Sequence, residues 1–162
     1  MLTILEQEDL IGPTVLGVGL ARDWIGVEDA VAAAERWLDR HPHAPDGWAL
    51  DLVVSHSEPR SEVAARLTDA GEDRDRAELA WRFARLLCVQ TADADDEQKL
   101  DLLESIAADF GYPPDMQVLS RYYVPPDAAA EPAIGTQVGP DPMVALDRLI
   151  GDISARLRPS QR

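Results

Sequence analysis

Two helix-like runs separated by a short acidic break constrain the fold of this chain more than any other feature. The first run, 78–88, places apolar residues at the spacing of one helical face: Ala80, Phe83, Ala84 and Leu87. The second run begins near Asp96, ends at Gly111 and repeats the pattern: Leu100, Leu103, Ala107 and Phe110. Because few residues join the two runs, we expect antiparallel helices whose apolar faces pack together.

Similar periodicity elsewhere predicts an all-α protein of about seven helices, arranged as antiparallel pairs in a bundle or short solenoid. Further helical segments are expected at 26–40, 48–54, 63–67, a short piece ending near Tyr123, and 141–157. In the first of these, the expected buried stripe is Val27, Ala30, Val31, Ala34 and Leu38, with Trp37 at its edge. Asp141 is a suitable N-cap for the last helix, and Pro142 suits its first position. Residues 1–26 fit a strand or a helix, and we favour helix.

The length of 162 residues fits one domain, which would bury roughly 70% of its unfolded surface. We expect a helical core domain over residues 1–126 and a linker or loop over 127–140. The remaining segment, 141–162, is expected to be an amphipathic helix that docks on the core.

The charge balance restricts the class of partner. The chain has 30 acidic and 15 basic residues, a net charge of −15, which argues against binding to nucleic acid. Cys88 is the one cysteine, so no intramolecular disulfide can form and the cytoplasm is the expected compartment. The sequence has no apolar run of membrane-spanning length and lacks the basic start of a signal peptide.

Paired glycines at Gly17 and Gly19 raise the possibility of a phosphate-binding loop. No third glycine follows at the required spacing, and no Lys-Ser or Lys-Thr follows. Close approach of the backbone to a neighbouring helix is the better interpretation.

The search for catalytic groups gives only weak candidates. Histidines at positions 41, 43 and 56 are too few and too scattered to predict a metal site, and Ser55-His56-Ser57 has the character of a polar turn. The carboxylate pairs Glu58 with Glu62 and Glu104 with Asp109 lack the close spacing of a magnesium-dependent nucleotide pyrophosphohydrolase. We therefore predict no catalytic residue, no metal and no cofactor.

Two acidic segments remain as candidate partner-binding sites. The residues concerned are Glu72, Asp73 and Asp75 in the first segment, and Asp93, Asp95, Asp96 and Glu97 in the second. Solvated loops and the acidic first turns of helices explain much of this pattern, because carboxylates are favoured at helix N-termini. The alternative is a surface that attracts a basic protein. Both segments lie at the same end of the central helices only if the connecting loops fold in the expected way.

The segment 104–113, followed by Met116, Leu119 and Arg121-Tyr122, resembles the signature of the bacterial family named domain of unknown function 2247. Gly111 stands where that family tends to have Asp, and one additional residue lies between Tyr122 and Pro125. The resemblance implies a small helical protein of the kind proposed as immunity proteins, which bind and neutralise a neighbouring toxin domain. It also marks motif residues expected to be mainly structural: Asp109, Phe110, Tyr112, Pro113, Arg121 and Tyr122.

Aromatic residues near this motif have two interpretations. Trp81, Tyr112, Tyr122 and Tyr123 could form a core around the turn at Gly111, or they could be rigid anchors for a partner. The core is the preferred interpretation.

These observations favour a non-enzymatic, immunity-type protein that binds a cognate, basic toxin domain. A helical adaptor of another role is one alternative, and the magnesium-dependent nucleotide pyrophosphohydrolase is a weaker one. The toxin's activity and the oligomeric state of this chain are not encoded in any recognisable pattern.

Overall fold

The computed structural model describes residues 1–43, 47–54, 57–69, 73–120 and 141–158, and throughout these ranges its regular structure is helical. The helices are α1 Leu2–Gln7, α2 Pro13–Ala21, α3 Val27–Arg40, α4 Trp48–Val54, α5 Arg60–Asp69, α6 Arg74–Thr91, α7 Asp96–Asp109, a 3-10 helix Pro114–Leu119, and α8 Pro142–Leu157. The all-α prediction is confirmed. The count in the described residues is slightly above the predicted seven, because residues 1–26 form two helices. No helix among the described residues is both long and apolar enough to cross a membrane.

The chain divides into two compact units, with the boundary inside α6. Unit 1 comprises Met1–Ala84, and unit 2 comprises Arg85–Arg162. The predicted linker at 127–140 lies outside the described residues. The same holds for Gly71, whose missing side chain predicts the end of the helix expected at 63–67.

Unit 1 is built around α2, a short helix in which eight of nine residues are buried. A Cβ atom at Gly17 would lie 2.7 Å from Oγ1 and 2.9 Å from the backbone nitrogen of Thr68, which belongs to α5. A Cβ at Gly19 would overlap the indole ring of Trp81. The two glycines therefore let α2 approach α5 and α6 closely, which confirms the close-packing interpretation.

We expect Gly19→Ala to lower the free energy of unfolding by about 2 kcal/mol, because the added methyl group has no room beside a fully buried indole. Urea denaturation measures the change. Gly151→Ala is the matched control, since Gly151 is also helical but a Cβ there meets nothing within 4 Å. That control should raise stability by about 0.5–1 kcal/mol. Equal effects at the two positions would contradict the packing of α2.

The N-terminal helix is tied to α3 by two arginines. Arg36 donates from Nη2 and Nε to Oε1 of Glu6 at 2.7 and 3.0 Å, and Arg40 donates from Nη1 to the Glu6 carbonyl at 3.0 Å. The hydrogen bond to Glu6 raises the pKa of Arg36, so the arginine stays charged at all pH values at which the protein is handled. On the alkaline side, the contribution of this ion pair to stability is lost as the pH rises through the raised pKa of Arg36.

The buried face of α3 differs from the predicted stripe. The residues that are buried are Ala30, Ala33, Ala34 and Trp37, whereas Val27, Val31 and Leu38 are half-buried. Trp37 faces Trp48 of α4 with ring centroids 5.0 Å apart, and it stacks on His41 at 4.4 Å. This large side chain therefore lies inside the buried face, although it was expected at the edge.

Unit 2 takes its apolar core from the C-terminal part of α6, α7, the 3-10 helix and α8. The buried residues of α8 are Ala145, Leu146, Leu149, Ile150, Ile153 and Leu157. Asp141 caps α8 by accepting a hydrogen bond from the backbone nitrogen of Met143 at 2.8 Å, and Pro142 occupies the first position, as predicted. The short helical piece expected after Pro113 is the 3-10 helix. Residues 121–123, where that piece was expected to end, lie outside the described residues.

Two contacts show that the end of α6 and α7 run antiparallel. Lys99, near the start of α7, donates from Nζ to the carbonyl of Gln90 at 3.4 Å, near the end of α6. Arg85, further back in α6, forms an ion pair with Asp109 at the end of α7. The predicted hairpin is therefore confirmed.

Candidate functional site

The first candidate site is the acidic loop between α6 and α7. Asp95 is the N-cap of α7: its carboxylate accepts a hydrogen bond from the backbone nitrogen of Gln98 at 2.8 Å, and the Gln98 side chain accepts one from the backbone nitrogen of Asp95 at 3.2 Å. This is a capping box, and it confirms that the loop caps a helix beginning near Asp96. Asp93, Asp96 and Glu97 are exposed, and within the described residues none of the three forms an ion pair.

The second acidic segment precedes α6. Asp73 accepts hydrogen bonds at Oδ1 from the backbone nitrogens of Asp75 at 2.9 Å and Arg76 at 3.4 Å, so it also caps a helix. Asp75 is exposed, and Glu72 lies outside the described residues. In each segment, one carboxylate stabilises the start of a helix while others face solvent.

The two acidic segments lie at opposite ends of α6. Asp73 directly precedes the first residue of this 18-residue helix, and Asp93 follows its last residue by two positions. The expectation that both segments share one end of the central helices is therefore wrong. The helix begins four residues earlier than the apolar stripe indicated, because its first three residues are charged and exposed.

The second candidate site is the motif turn, which we define as residues 109–113. Tyr112 donates from its backbone nitrogen to the Ala107 carbonyl at 2.7 Å, and Gly111 donates to the Ala108 carbonyl at 3.0 Å. This pair of hydrogen bonds is a Schellman motif, with Gly111 in the left-handed region at φ +71°. The predicted role of Gly111 in closing the helix is confirmed.

Arg85, which belongs to α6, contacts the motif turn. Its Nη2 lies 2.6 Å from Oδ2 of Asp109, and its guanidinium carbon lies 5.9 Å from the centre of the Phe110 ring. The arginine side chain is largely buried, whereas Asp109 is more exposed. Two consecutive motif residues therefore contact the same arginine, one by charge and the other through its ring.

Tyr112 is the motif residue that the turn exposes. Its backbone adopts φ +55°, which is unusual for a bulky residue, and 56% of its surface is accessible. Trp81, in contrast, is fully buried and donates from Nε1 to the Val15 carbonyl at 2.7 Å. Tyr112 is therefore not part of a buried aromatic core, contrary to the preferred interpretation. Arg121, Tyr122 and Tyr123 lie outside the described residues.

The weak candidates for catalysis are placed as follows. Glu58 forms an ion pair with Arg66 at 2.6 Å, and Asp109 is paired with Arg85 as described. His41 is within hydrogen-bond distance of the Trp37 carbonyl, 2.9 Å from its Nδ1. Ser55 and His56 lie outside the described residues, and among the residues that are described no group of three or more potential metal ligands is found. The apolar helical run around Cys88 predicts a buried cysteine, but Cys88 is partly exposed.

Sequence reasoning did not single out two features of this region. Arg85 was recognised only as a member of the helical run, although a charged residue between buried Ala84 and Leu86 is a signal that it has a partner. The apolar pattern of α7 predicts Leu102 beside the buried stripe, but 46% of its surface is accessible.

These features define an all-α protein with acidic, helix-capping loops and an arginine-braced turn that exposes a tyrosine. The chain belongs to the bacterial family described as "Uncharacterized protein conserved in bacteria", domain of unknown function 2247, whose model matches residues 3–151. The match extends well beyond the motif that suggested the family. Comparison with curated proteins and with solved structures gave no significant match.

Proposed function

We propose that this protein is an immunity-type protein that binds and neutralises a cognate, basic toxin domain without catalysing a reaction. The observation that carries the proposal is the concentration of charge around α7. Between residues 93 and 115 the chain has eight acidic residues and a single basic one, Lys99. The role is the one implied by the sequence resemblance, and the charge supplies a physical reason for it.

A surface of this kind attracts a cationic protein at long range. A concentrated negative potential raises the rate of encounter with a basic partner and disfavours acidic partners. Lys99 offsets little of that potential, because it supplies one positive charge against eight carboxylates. The exposed carboxylates Asp93, Asp96 and Glu97 project from a capped helix end, so the charges are held on a defined framework.

Co-expression tests the proposal directly. If a large secreted protein is encoded beside the gene for this chain, the probe is its C-terminal domain, produced alone and together with the chain. We expect the toxin domain alone to stop growth, co-expression to restore it, and the two purified proteins to form a complex at low salt. An unrelated acidic protein of similar charge, expressed in the same way, is the control for non-specific charge neutralisation.

Two outcomes would contradict the proposal. One is failure to restore growth together with no complex at low salt. The other is a complex with a neighbouring protein that has no toxic activity, which would favour the adaptor alternative.

A further inference from the structure

The exposed face of α7 ends at the exposed tyrosine of the motif turn. The exposed residues of this helix are Asp96, Glu97, Gln98, Asp101, Leu102, Ser105, Ala108 and Asp109. Leu102 is the large apolar residue on this face, and Tyr112 follows the last turn of the helix. At 1.5 Å per residue, the helix places Glu97 about 18 Å from Asp109 along its axis, so the face offers charge at one end and an aromatic ring beyond the other.

The backbone of Tyr112 is fixed by the turn. Two hydrogen bonds close the Schellman motif, and Arg85 contacts both Asp109 and Phe110 immediately before it. A tyrosine has few rotatable bonds, so anchoring its backbone leaves little conformational entropy to lose when the ring is covered. Tyr112 is therefore preorganised for binding.

The charge around this face selects the partner. Asp101 directly precedes Leu102, Glu97 lies five residues before it, and Asp109, which is paired with Arg85, precedes Tyr112 by three residues. An exposed aromatic ring that follows an acidic helix suits an arginine or lysine side chain, which stacks on the ring and is attracted by the negative potential of the helix. A membrane or a nucleic acid would bring further negative charge to the same face.

We infer that the exposed face of α7 together with Tyr112 is the surface that contacts the basic toxin domain, with Tyr112 and Leu102 as apolar anchors and a toxin arginine or lysine against the tyrosine ring. The inference rests on the proposed function and adds the location and chemistry of the contact. It differs from the loop-centred prediction, because it assigns the tightest contacts to the helix face and the motif turn.

Affinity measurements with exposed-residue variants test the inference. Against the same neighbouring toxin domain, we expect Tyr112→Ala to raise the dissociation constant by about 30-fold, the effect typical of an aromatic anchor. Tyr112→Phe retains the ring and should change it by less than about 3-fold. Leu102→Ala should raise it by roughly 5-fold, through lost apolar burial.

Leu50→Ala is the matched control. Leu50 is 57% exposed on α4, so its truncation removes the same atoms as Leu102→Ala from a different helix. We expect less than about a 2-fold change in affinity, since substitutions outside an interface are nearly neutral. Thermal melting of each variant reports whether the fold is preserved. A photo-crosslinking amino acid at position 112 supplies a second readout, and we expect it to capture the toxin domain while the same group at position 50 does not.

The possible failures can be told apart. If the wild-type chain does not bind the toxin domain, the proposed function fails. If the wild type binds but Tyr112→Ala and Leu102→Ala bind as tightly as Leu50→Ala, and position 112 gives no crosslink, the inference alone is wrong. Loss of self-association in Tyr112→Ala, with toxin binding unchanged, would assign the surface to a second copy of the chain and also overturn the inference.

Discussion

Trp81→Ala is expected to lower the free energy of unfolding by about 3–5 kcal/mol, the range found when a large buried aromatic side chain is truncated. Trp81 is fully buried, contacts Trp24 with ring centroids 5.5 Å apart, and lies against Gly19 of α2. The substitution also removes the hydrogen bond from Nε1 to the Val15 carbonyl. Because small domains are stable by only about 5–15 kcal/mol, this one change removes a large share of the total.

Chemical denaturation followed by circular dichroism measures the effect. Trp81→Phe is a milder substitution that keeps much of the apolar volume but has no N–H donor. We expect it to lower the free energy of unfolding by about 2 kcal/mol. The phenylalanine variant also keeps the prediction measurable if the alanine variant does not fold. A loss below about 1 kcal/mol for Trp81→Ala would show that this tryptophan does not organise the packing of α2 and α6 in unit 1.

Reversing the charge of Asp93, Asp96 and Glu97 to lysine should slow association with the toxin domain by about 10- to 100-fold, because electrostatic attraction mainly raises the association rate. The three residues are exposed, and the capping residue Asp95 is left unchanged so that α7 still begins with its hydrogen bonds. Surface plasmon resonance at low salt separates the association rate from the dissociation rate.

The matched control reverses Glu28, Asp39 and Glu62, which are equally exposed. Two residues of each set lie in the first turn of a helix, so both variants carry a similar penalty from the helix dipole and the same change in net charge. We expect the control to slow association by less than about 3-fold. If both variants slow association equally, the total charge of the chain explains the effect, and the acidic residues at the start of α7 have no special role.

Much of the fold could be predicted because its signals are local. The antiparallel pairing of α6 and α7, the left-handed residue at Gly111 and the Asp141-Pro142 start of α8 each depend on a few adjacent residues. The predictions that were wrong concern features that depend on contacts between residues distant in sequence. Trp37 turns inward because Trp48 is there to meet it, and no pattern within α3 contains that information.

The candidate site was predicted in composition but not in arrangement. The acidic segments were identified, yet α6 extends to Arg74 and separates them, because charged residues can form the first turn of a helix as readily as a solvated loop. The exposure of Tyr112 follows from the turn geometry after α7, which directs the ring away from the core that its aromatic character suggested. Arg85 was overlooked because its partner lies 24 residues further along the chain.

The central claim is that the acidic surface of α7 exists to meet a basic protein. Titration of the purified toxin domain with the wild-type chain over a range of salt concentrations, from about 50 to about 500 mM, tests it most directly. We expect a specific complex whose dissociation constant rises steadily with ionic strength, mainly through a slower association rate. A complex equally tight throughout that range, or no complex even at the lowest salt concentration, would contradict the account.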